Sequence, residues 1–151
     1  MIRLSKSADY GLMAMRHLAL LPSGCCCSAR ELAQGHGIPP ALMAKLLQRL
    51  ARKGLLAATH GIRGGYRIAR PAQTISLRDV IEAIEGPLAV TDCHDPCGER
   101  CDQDGTCTVK TPLLEIQARI AALLAATSVR DLGGAQNRPV RIATPPRRGN
   151  A

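Results

Sequence analysis

The sequence predicts a mainly α-helical fold with one small β-hairpin. Phe and Trp are absent and Tyr occurs only twice among 151 residues, although 46% of the chain is hydrophobic. The core must therefore be built from aliphatic side chains, chiefly Leu, Met and Ala, which favour helices. Apolar residues recur at helical spacing in several segments that begin at a capping residue or a proline. A chain of this length accommodates one ordinary domain with appendages.

The first half of the chain contains three predicted helices. Ser7 is expected to cap the first, and Ser28 with Glu31 has the pattern of a capping box for a short second helix. The third helix is expected over residues 40–53, with Gly54 closing it. Its apolar face combines Leu42, Leu46 and Leu50 with Met43 and Leu47.

Two strand-like runs follow, at residues 55–59 and 66–69. A glycine-rich segment that contains Arg63 joins them, which is typical of a hairpin with a basic tip. A helix, a turn, a second helix and then a hairpin predict a winged helix-turn-helix head. In that fold a recognition helix enters the major groove of DNA, while the wing contacts the phosphate backbone or the minor groove.

The charge of the chain favours a nucleic-acid partner. The formal net charge is +8, and residues 1–92 carry 12 Lys and Arg against 6 Asp and Glu. Such a basic head suits a polyanion, most simply double-stranded DNA. No apolar run reaches the roughly 18 residues of a membrane span, and the chain opens without a cleavage site, so we expect a cytoplasmic protein that does not bind membranes.

Eight residues are candidate DNA contacts. Four of them lie on the third helix and are expected to face the base edges: Ala41, Lys45, Gln48 and Arg49. The phosphates are expected to contact Ser28, Arg52, Arg63 and Arg67. Contacts of the second kind give affinity without reading the DNA sequence.

The second half of the chain is expected to build a homodimer. Ser76 and Asp79 mark another helix start, and Pro112 can occupy the first turn of a long C-terminal helix. Since an apolar seam needs a partner helix, the same helix of a second subunit would cover it; packing onto its own domain is the alternative. The seam alternates in steps of three and four through Leu113, Ile116, Ile120, Leu123 and Thr127.

The segment before this long helix carries Cys93, Cys97, Cys101 and Cys107. Pro96 and nearby glycines oppose a helix there, so several thiolates could converge on one metal site. Successive cysteines are separated by three, three and five residues, whereas structural zinc sites commonly use Cys-x-x-Cys pairs. The spacing therefore favours an iron-sulfur cluster over zinc. A thiol switch, or no metal site at all, is also compatible with it.

Four regions are predicted from these features. Residues 1–90 form a winged-helix DNA-binding domain, and residues 91–110 form a cysteine-rich cluster-binding loop. Residues 111–132 form the dimerisation helix, and residues 133–151 form a disordered basic tail.

Five segments resemble the bacterial Rrf2 family of transcriptional regulators. They are residues 4–10 (LSKSADY), 45–50 (KLLQRL), 53–55 (KGL), 64–69 (GGYRIA) and 85–93 (EGPLAVTDC). The similarity runs from residue 2 to residue 132. It includes IscR-like and NsrR-like patterns and is greatest to regulators of the sulfur-mobilisation (SUF) operon. The resemblance implies a dimeric repressor of iron-sulfur assembly genes that binds one [2Fe-2S] or [4Fe-4S] cluster per subunit.

The resemblance also implies that Cys93, Cys101 and Cys107 hold the cluster. Cys93 follows the Glu-Gly-Pro segment, and five residues separate Cys101 from Cys107, as is usual in the family. Seven residues separate Cys93 from Cys101, where IscR-like members have five. Cys97 is therefore an extra thiol, either a ligand or a bystander.

The fourth ligand departs from the IscR-like pattern. Those members have a histidine three residues after the last cysteine, and Lys110 occupies that position here. NsrR-like members use an aspartate of the other subunit, which makes Asp9 of the partner subunit the first candidate. His94 and Cys97 are further candidates. Asp9 is also explained as an acidic residue near the positive end of a helix.

The remaining cysteines, Cys25, Cys26 and Cys27, are expected to be packing residues. No nucleophile, base and oxyanion arrangement is visible and no phosphate-binding glycine loop follows a strand, so we expect no enzyme. Two competing hypotheses remain. One is a nitric-oxide or thiol-redox sensing regulator on the same fold, and the other is a small metal-carrier or redox protein.

Overall fold

The computed structural model describes residues 3–91, 93 and 101–133. The predicted mainly α-helical fold with a two-stranded wing is confirmed. Predictions for His94, Cys97 and the tail after residue 133 lie outside the described residues. No helix in the described ranges is long and apolar enough to cross a bilayer. The elements are α1 Lys6–Leu20, α2 Ala29–His36, α3 Pro40–Arg52, β1 Leu56–Thr59, β2 Gly65–Ile68, α4 Leu77–Glu85, α5 Lys110–Ala126 and α6 Val129–Gly133.

Serine caps begin helices α1, α2 and α4. The prediction of Ser7 as the first cap is wrong: Ser5 caps α1, and its Oγ accepts a hydrogen bond from the amide of Ala8 at 3.2 Å. Ser5 can do so because its backbone is extended, whereas Ser7 already lies in the first helical turn. The two predicted capping boxes, at Ser28 and Ser76, are confirmed.

A left-handed glycine joins α2 to α3. Gly37 has a φ of 65°, which residues with a Cβ rarely adopt. The amide of Ile38 then donates to the carbonyl of Ala33 at 2.9 Å, and Pro40 begins α3. The side of α3 that faces the core consists of Met43, Leu46, Leu47 and Leu50. The opposite side of α3 is thereby held toward the surface.

The wing is an antiparallel pair in which Thr59 of β1 lies opposite Gly65 of β2. Its strands agree with the prediction to within one residue at each end. A third segment extends the pair, because Cys27 exchanges two backbone hydrogen bonds with Tyr66, at 2.8 and 3.0 Å. Only glycine fits at position 65, since a Cβ there would lie 2.7 Å from the backbone carbonyl of Cys27.

One aliphatic core holds the head together. In the part of the chain that the structure describes, its largest fully buried side chains are Met15, Leu32, Met43, Leu46, Leu47, Leu50, Ile75, Val80, Ile81 and Val129. The helices around this core pack closely. Gly11 of α1 lies directly against the side chain of Ile84 in α4.

The C-terminal end of the described chain returns to the head. Val129 of α6 is fully buried, and its amide donates to the carbonyl of Ile75 at 2.8 Å. The amide of Leu77 donates to the carbonyl of Thr127 at 2.9 Å. The last residues of the predicted region 111–132 therefore belong to the core of the head, because a valine from this end completes it.

Helix α5 lies against α4, yet none of its residues is fully buried. The amide of Val90 donates to Oε1 of Gln117 at 2.9 Å, which ties the segment after α4 to the middle of α5. Leu114, Ile116 and Leu123 are 39–45% exposed. Ile116 and Leu123, seven residues apart, therefore leave apolar surface uncovered on one side of α5 within a single subunit, and Leu114 is exposed on a different side.

The contact between Gly11 and Ile84 suggests a matched pair of substitutions. Gly11→Ala should destabilise the fold by about 1–3 kcal/mol, because the new Cβ would overlap Ile84 in a filled core. Gly35→Ala, which has open space around it in α2, should be neutral or stabilising by up to about 1 kcal/mol. Urea denaturation followed by circular dichroism measures both. Equal effects would contradict the close packing of α1 on α4.

Candidate DNA-binding face and cysteine loop

The side of α3 opposite the core carries a polar stripe. Ala41, Lys45, Gln48 and Arg52 are all exposed and follow one another at steps of four, three and four residues. These steps place them along one side of a helix. The structure therefore brings four of the candidate DNA contacts together on one surface.

Arg49 has a different role from its neighbours on α3. Its Nη1 donates a hydrogen bond to the carbonyl of Ile84 at 2.9 Å. That carbonyl lies at the C-terminal end of α4, where backbone acceptors lack partners and the helix dipole favours a cation. The predicted orientation of Arg49 toward base edges is therefore not observed. The sequence did not predict this contact, because Arg49 and Ile84 are 35 positions apart and no local pattern relates them.

The start of α2 and the base of the wing line one groove, with Ser28 on one side and Thr59 and Tyr66 on the other. Ser28 is half-buried at the positive end of α2, a location that favours phosphate. The carboxylate of Glu31 accepts the amide of Ser28 at 2.8 Å. Hydrogen bonds from the backbone and hydroxyl of Ser28 lower the pKa of Glu31.

The two wing arginines lie in different places. Arg63 is exposed near the tip, and Arg67 is exposed on β2. Because adjacent residues of a strand point to opposite faces, Tyr66 faces the groove beside Ser28, whereas Arg67 lines a second groove together with Arg70. The structure thus places Ser28 beside the wing but does not place Arg67 in that groove.

Turns occupy the five residues between Cys101 and Cys107. The first turn is closed by a hydrogen bond from the amide of Asp104 to the carbonyl of Cys101, at 3.1 Å. Both cysteines are half-buried free thiols. Cys93 is an exposed free thiol whose sulfur lies 3.2 Å from the hydroxyl of Thr91.

Lys110 brings a positive charge to this loop. Its ammonium forms an ion pair and a hydrogen bond with Asp104, which raises the pKa of Lys110 above its ordinary value. Cys93 and Cys107, as thiolates, contribute smaller effects in the same direction. The residue at the position of the IscR-like histidine is therefore engaged by a carboxylate and lies near two of the predicted ligands.

Cys93, Cys101 and Cys107, the predicted ligands that the structure describes, are not gathered into a closed site. Within residues 3–91, 93 and 101–133, no three histidine, cysteine or acidic side chains are placed to share a metal ion. Asp9 is exposed in the first turn of α1. The donor chemistry still fits a thiolate-bound cluster, because three free cysteines lie in this loop. Metal–thiolate bonds themselves supply free energy that orders such sites.

The run Cys25, Cys26 and Cys27 is attached to the wing. Cys27 packs against the core as predicted, and burial together with the nearby carboxylate of Glu31 raises the pKa of its thiol. The sulfur of Cys26 lies 3.7 Å from the hydroxyl of Thr59, and Cys25 is exposed. No sequence pattern indicated these wing contacts, since a strand bridge of one residue has no periodicity.

The bond from Arg49 to Ile84 distinguishes a structural arginine from an exposed one. Arg49→Ala should lower the free energy of unfolding by about 1–2 kcal/mol, because the end of α4 loses a charged donor. Arg52→Ala, one turn further along α3, should change it by less than about 0.5 kcal/mol. Thermal denaturation of both variants makes the measurement. If the two variants are equally stable, Arg49 does not hold α4.

Comparison with known proteins agrees with this architecture. A family model described as Rrf2, iron-dependent transcriptional regulator, matches residues 4–134. A helix-turn-helix transcriptional regulator of Mycobacterium tuberculosis, MT1325, is 40% identical over 88 residues. The alignment covers 58% of this chain and 55% of that protein, so it spans little more than half of the relative's length.

Several experimental structures share the fold. CymR, the global cysteine regulator of B. subtilis, superposes with a TM-score of 0.72 at 23% identity, over 88% of this chain and 97% of that one. The oxidised form of Staphylococcus aureus CymR gives 0.70 at 23% identity, over 91% and 100%. IscR of T. potens gives 0.68 at 23% identity, over 87% and 85%. Because the family model covers most of the sequence, the chain belongs to the Rrf2 family of transcriptional regulators, which are not enzymes.

Proposed function

We propose that the chain is an iron-sulfur-sensing repressor of genes for iron-sulfur cluster assembly. The observation that carries this proposal is the position of the thiols. Cys93 follows α4 of the head, and Cys107 lies three residues before the start of α5. A cluster in this loop would connect the DNA-binding head to the long helix. When bound, it would supply thiolate-ligated iron whose loss or oxidation reports the iron, sulfur or oxidant status of the cell.

Double-stranded DNA is the partner that suits the exposed side of α3. Lys45 and Gln48 are the candidates for base edges, because lysine pairs with guanine and glutamine with adenine in the major groove. Arg52 and Arg63 are the candidates for phosphate contacts. Arg49 is excluded from this set in our proposal, because its guanidinium is held at the end of α4.

The ligand set that we propose is Cys93, Cys101 and Cys107, with Asp9 of the partner subunit as the fourth member. Cys97 is the competing fourth ligand. Lys110 supports the set without joining it, because its positive charge offsets the accumulated charge of the thiolates. A carboxylate ligand from the second subunit would make cluster binding depend on the geometry of the dimer.

Two hydrogen bonds would transmit a conformational change from the loop to the head. Val90 is bonded to Gln117 in the middle of α5, and Ile75 is bonded to Val129 just beyond its end. Gaining or losing a cluster would therefore shift α5 relative to α4 and alter the spacing of the two heads. A coupling free energy of about 1–3 kcal/mol would change operator affinity from several-fold to about a hundredfold.

A homodimer through α5 is part of the proposal. The helix is 17 residues long and contains no fully buried residue, while Ile116 and Leu123 expose apolar surface on one side of it. A second copy related by a two-fold axis presents the same surface to it. Pairing would bury both apolar sides and bring two DNA-binding heads together, as two half-sites on one duplex require.

A thiol-sensing regulator on the same fold is the second candidate. It is favoured by the contacts of Cys26 and Cys27 with the wing. Oxidation of this run would disturb the DNA-binding face directly, without any cluster. The two candidates differ in which cysteines matter.

Anaerobic purification tests the cluster. The protein should be brown, with visible absorbance and with iron and sulfide in equal amounts. Cys93→Ala, Cys101→Ala and Cys107→Ala should each lose most of the colour, because each removes a proposed ligand. Cys25→Ala, outside the loop, is the control and should keep it. A colourless protein with bound zinc would overturn the cluster proposal.

The DNA experiment is separate. Loaded and apo protein are each used to select duplexes from a randomised pool, and affinities for the selected duplex are measured by fluorescence anisotropy. Several-fold or larger differences between the two forms support cluster sensing. Equal affinities, combined with loss of binding after oxidation that Cys26→Ser prevents, favour the thiol sensor. No enriched sequence in either form would contradict DNA regulation.

The dimer interface is tested on α5. Ile116→Glu and Leu123→Glu should each shift the protein toward monomer, because a charge would be placed in the apolar contact between the two helices. Ala118→Glu, at an exposed position on the opposite side of the same helix, is the control for a charge placed outside this apolar surface. Analytical ultracentrifugation over a range of concentrations measures the equilibrium. A wild-type monomer at all concentrations would refute the interface.

A further inference from the structure

The wing tip presents one fully exposed isoleucine. Ile62 has 107% of its reference surface exposed, compared with 61% for Leu20 and 54% for Val109. It therefore makes no burying contact within its own subunit. Arg63 follows it directly, and His60 is exposed two residues before it.

A tight turn holds this isoleucine in place. The amide of Gly64 donates to the carbonyl of Gly61 at 2.9 Å, so Ile62 and Arg63 are the two central residues of a hydrogen-bonded turn. Gly61 has a φ of 114°. A Cβ on Gly64 would collide with the backbone carbonyl oxygens of Thr59 and Gly61. The glycines thus define a compact tip that presents an aliphatic chain beside a cation.

We infer that Ile62 enters the minor groove of DNA while Arg63 contacts the flanking phosphates. This inference rests on the proposed DNA-binding function and adds an apolar contact to it. The minor groove is about 6 Å wide, which suits a single aliphatic chain on a narrow turn. Aliphatic side chains also act there as wedges at base steps. Transfer of Ile62 from water into the groove would supply affinity that does not depend on salt.

The surroundings of Ile62 favour this partner over another protein. Protein interfaces use contiguous apolar patches of a few hundred Å², whereas Ile62 stands between glycine and arginine. The same wing borders the groove that contains Ser28 at the start of α2. An isolated apolar side chain among cationic and polar groups suits DNA, which combines a surface of phosphates with a narrow minor groove.

The test compares four variants on the duplex selected by the wild-type protein. Ile62→Ala should weaken binding by about tenfold, because several buried carbons are lost. Ile62→Thr, which keeps the branched shape but adds a hydroxyl, should also weaken it several-fold. Leu20→Ala, an exposed aliphatic truncation on α1, is the matched control and should bind as wild type. Equal melting temperatures of the Ile62 variants and wild type establish that the fold is unchanged.

The fourth variant, Arg63→Gln, separates the two wing residues by the dependence of affinity on salt. It should reduce the slope of log affinity against log salt by about 1, because one phosphate contact is lost. Ile62→Ala should leave that slope unchanged although it weakens binding. A changed slope for Ile62→Ala, or wild-type affinity for it, would overturn the inference.

Groove identity is tested on the DNA side. Replacing adenine by 2,6-diaminopurine adds an amino group in the minor groove and leaves the major-groove pattern intact. At the positions reached by the wing, this change should weaken the wild type and have little effect on Ile62→Ala. Equal weakening of both would refute the minor-groove contact. If the wild type selects no duplex at all, the proposed function fails. If the wild type selects a duplex and Ile62→Ala binds that duplex with wild-type affinity, this inference alone fails.

Discussion

The burial of Val129 in the head determines the arrangement of the second half of the chain. Its bond to Ile75, with the neighbouring bond between Thr127 and Leu77, returns the chain to the head after α5. Helix α5 is therefore held to the head along its length and beyond its end, and cannot move as a free appendage. The cysteine loop lies within this closed path. Any change in its length or shape must be taken up by α5 or α4.

The basic residues of the head serve two purposes that compete for the same surface. Arg49 uses its charge to complete the end of α4, while Lys45 and Arg52 leave theirs in solvent. The first use stabilises the fold that orients α3. The exposed charges of Lys45 and Arg52 have no partner on α3, so they disfavour burial of this surface but attract a polyanion. Neighbouring positions on one helix thus both fasten it to α4 and offer positive charge to solvent.

The cysteines fall into two groups whose environments differ. Cys26 and Cys27 are tied to the wing through a side-chain contact and a backbone bridge, and the thiol of Cys27 is kept protonated by burial and by Glu31. Cys101 and Cys107 lie at the two ends of a run of turns, and Lys110 lies near Cys93 and Cys107. The two groups are therefore suited to different chemistry within one regulator.

The sequence by itself determined the helices, the wing and the aliphatic core. Capping boxes at Ser28 and Ser76 and the leucine spacing of α3 are local signals, because a helix is built from contacts three and four residues apart. The exposed stripe of Lys45, Gln48 and Arg52 followed from the same periodicity. The cap of α1 was misassigned because Ser5 and Ser7 are chemically equivalent, and only backbone geometry separates them.

The tertiary structure alone decided which residues meet across the chain. The bond of Arg49 to Ile84, the bridge of Cys27 to Tyr66 and the return of Val129 to the core all join residues far apart in sequence. No periodic pattern encodes such pairs, because they depend on how packed elements are oriented in space. The engagement of Lys110 by Asp104 is shorter in range but equally dependent on the turn between them. Local chemistry specifies the elements, and packing specifies their partners.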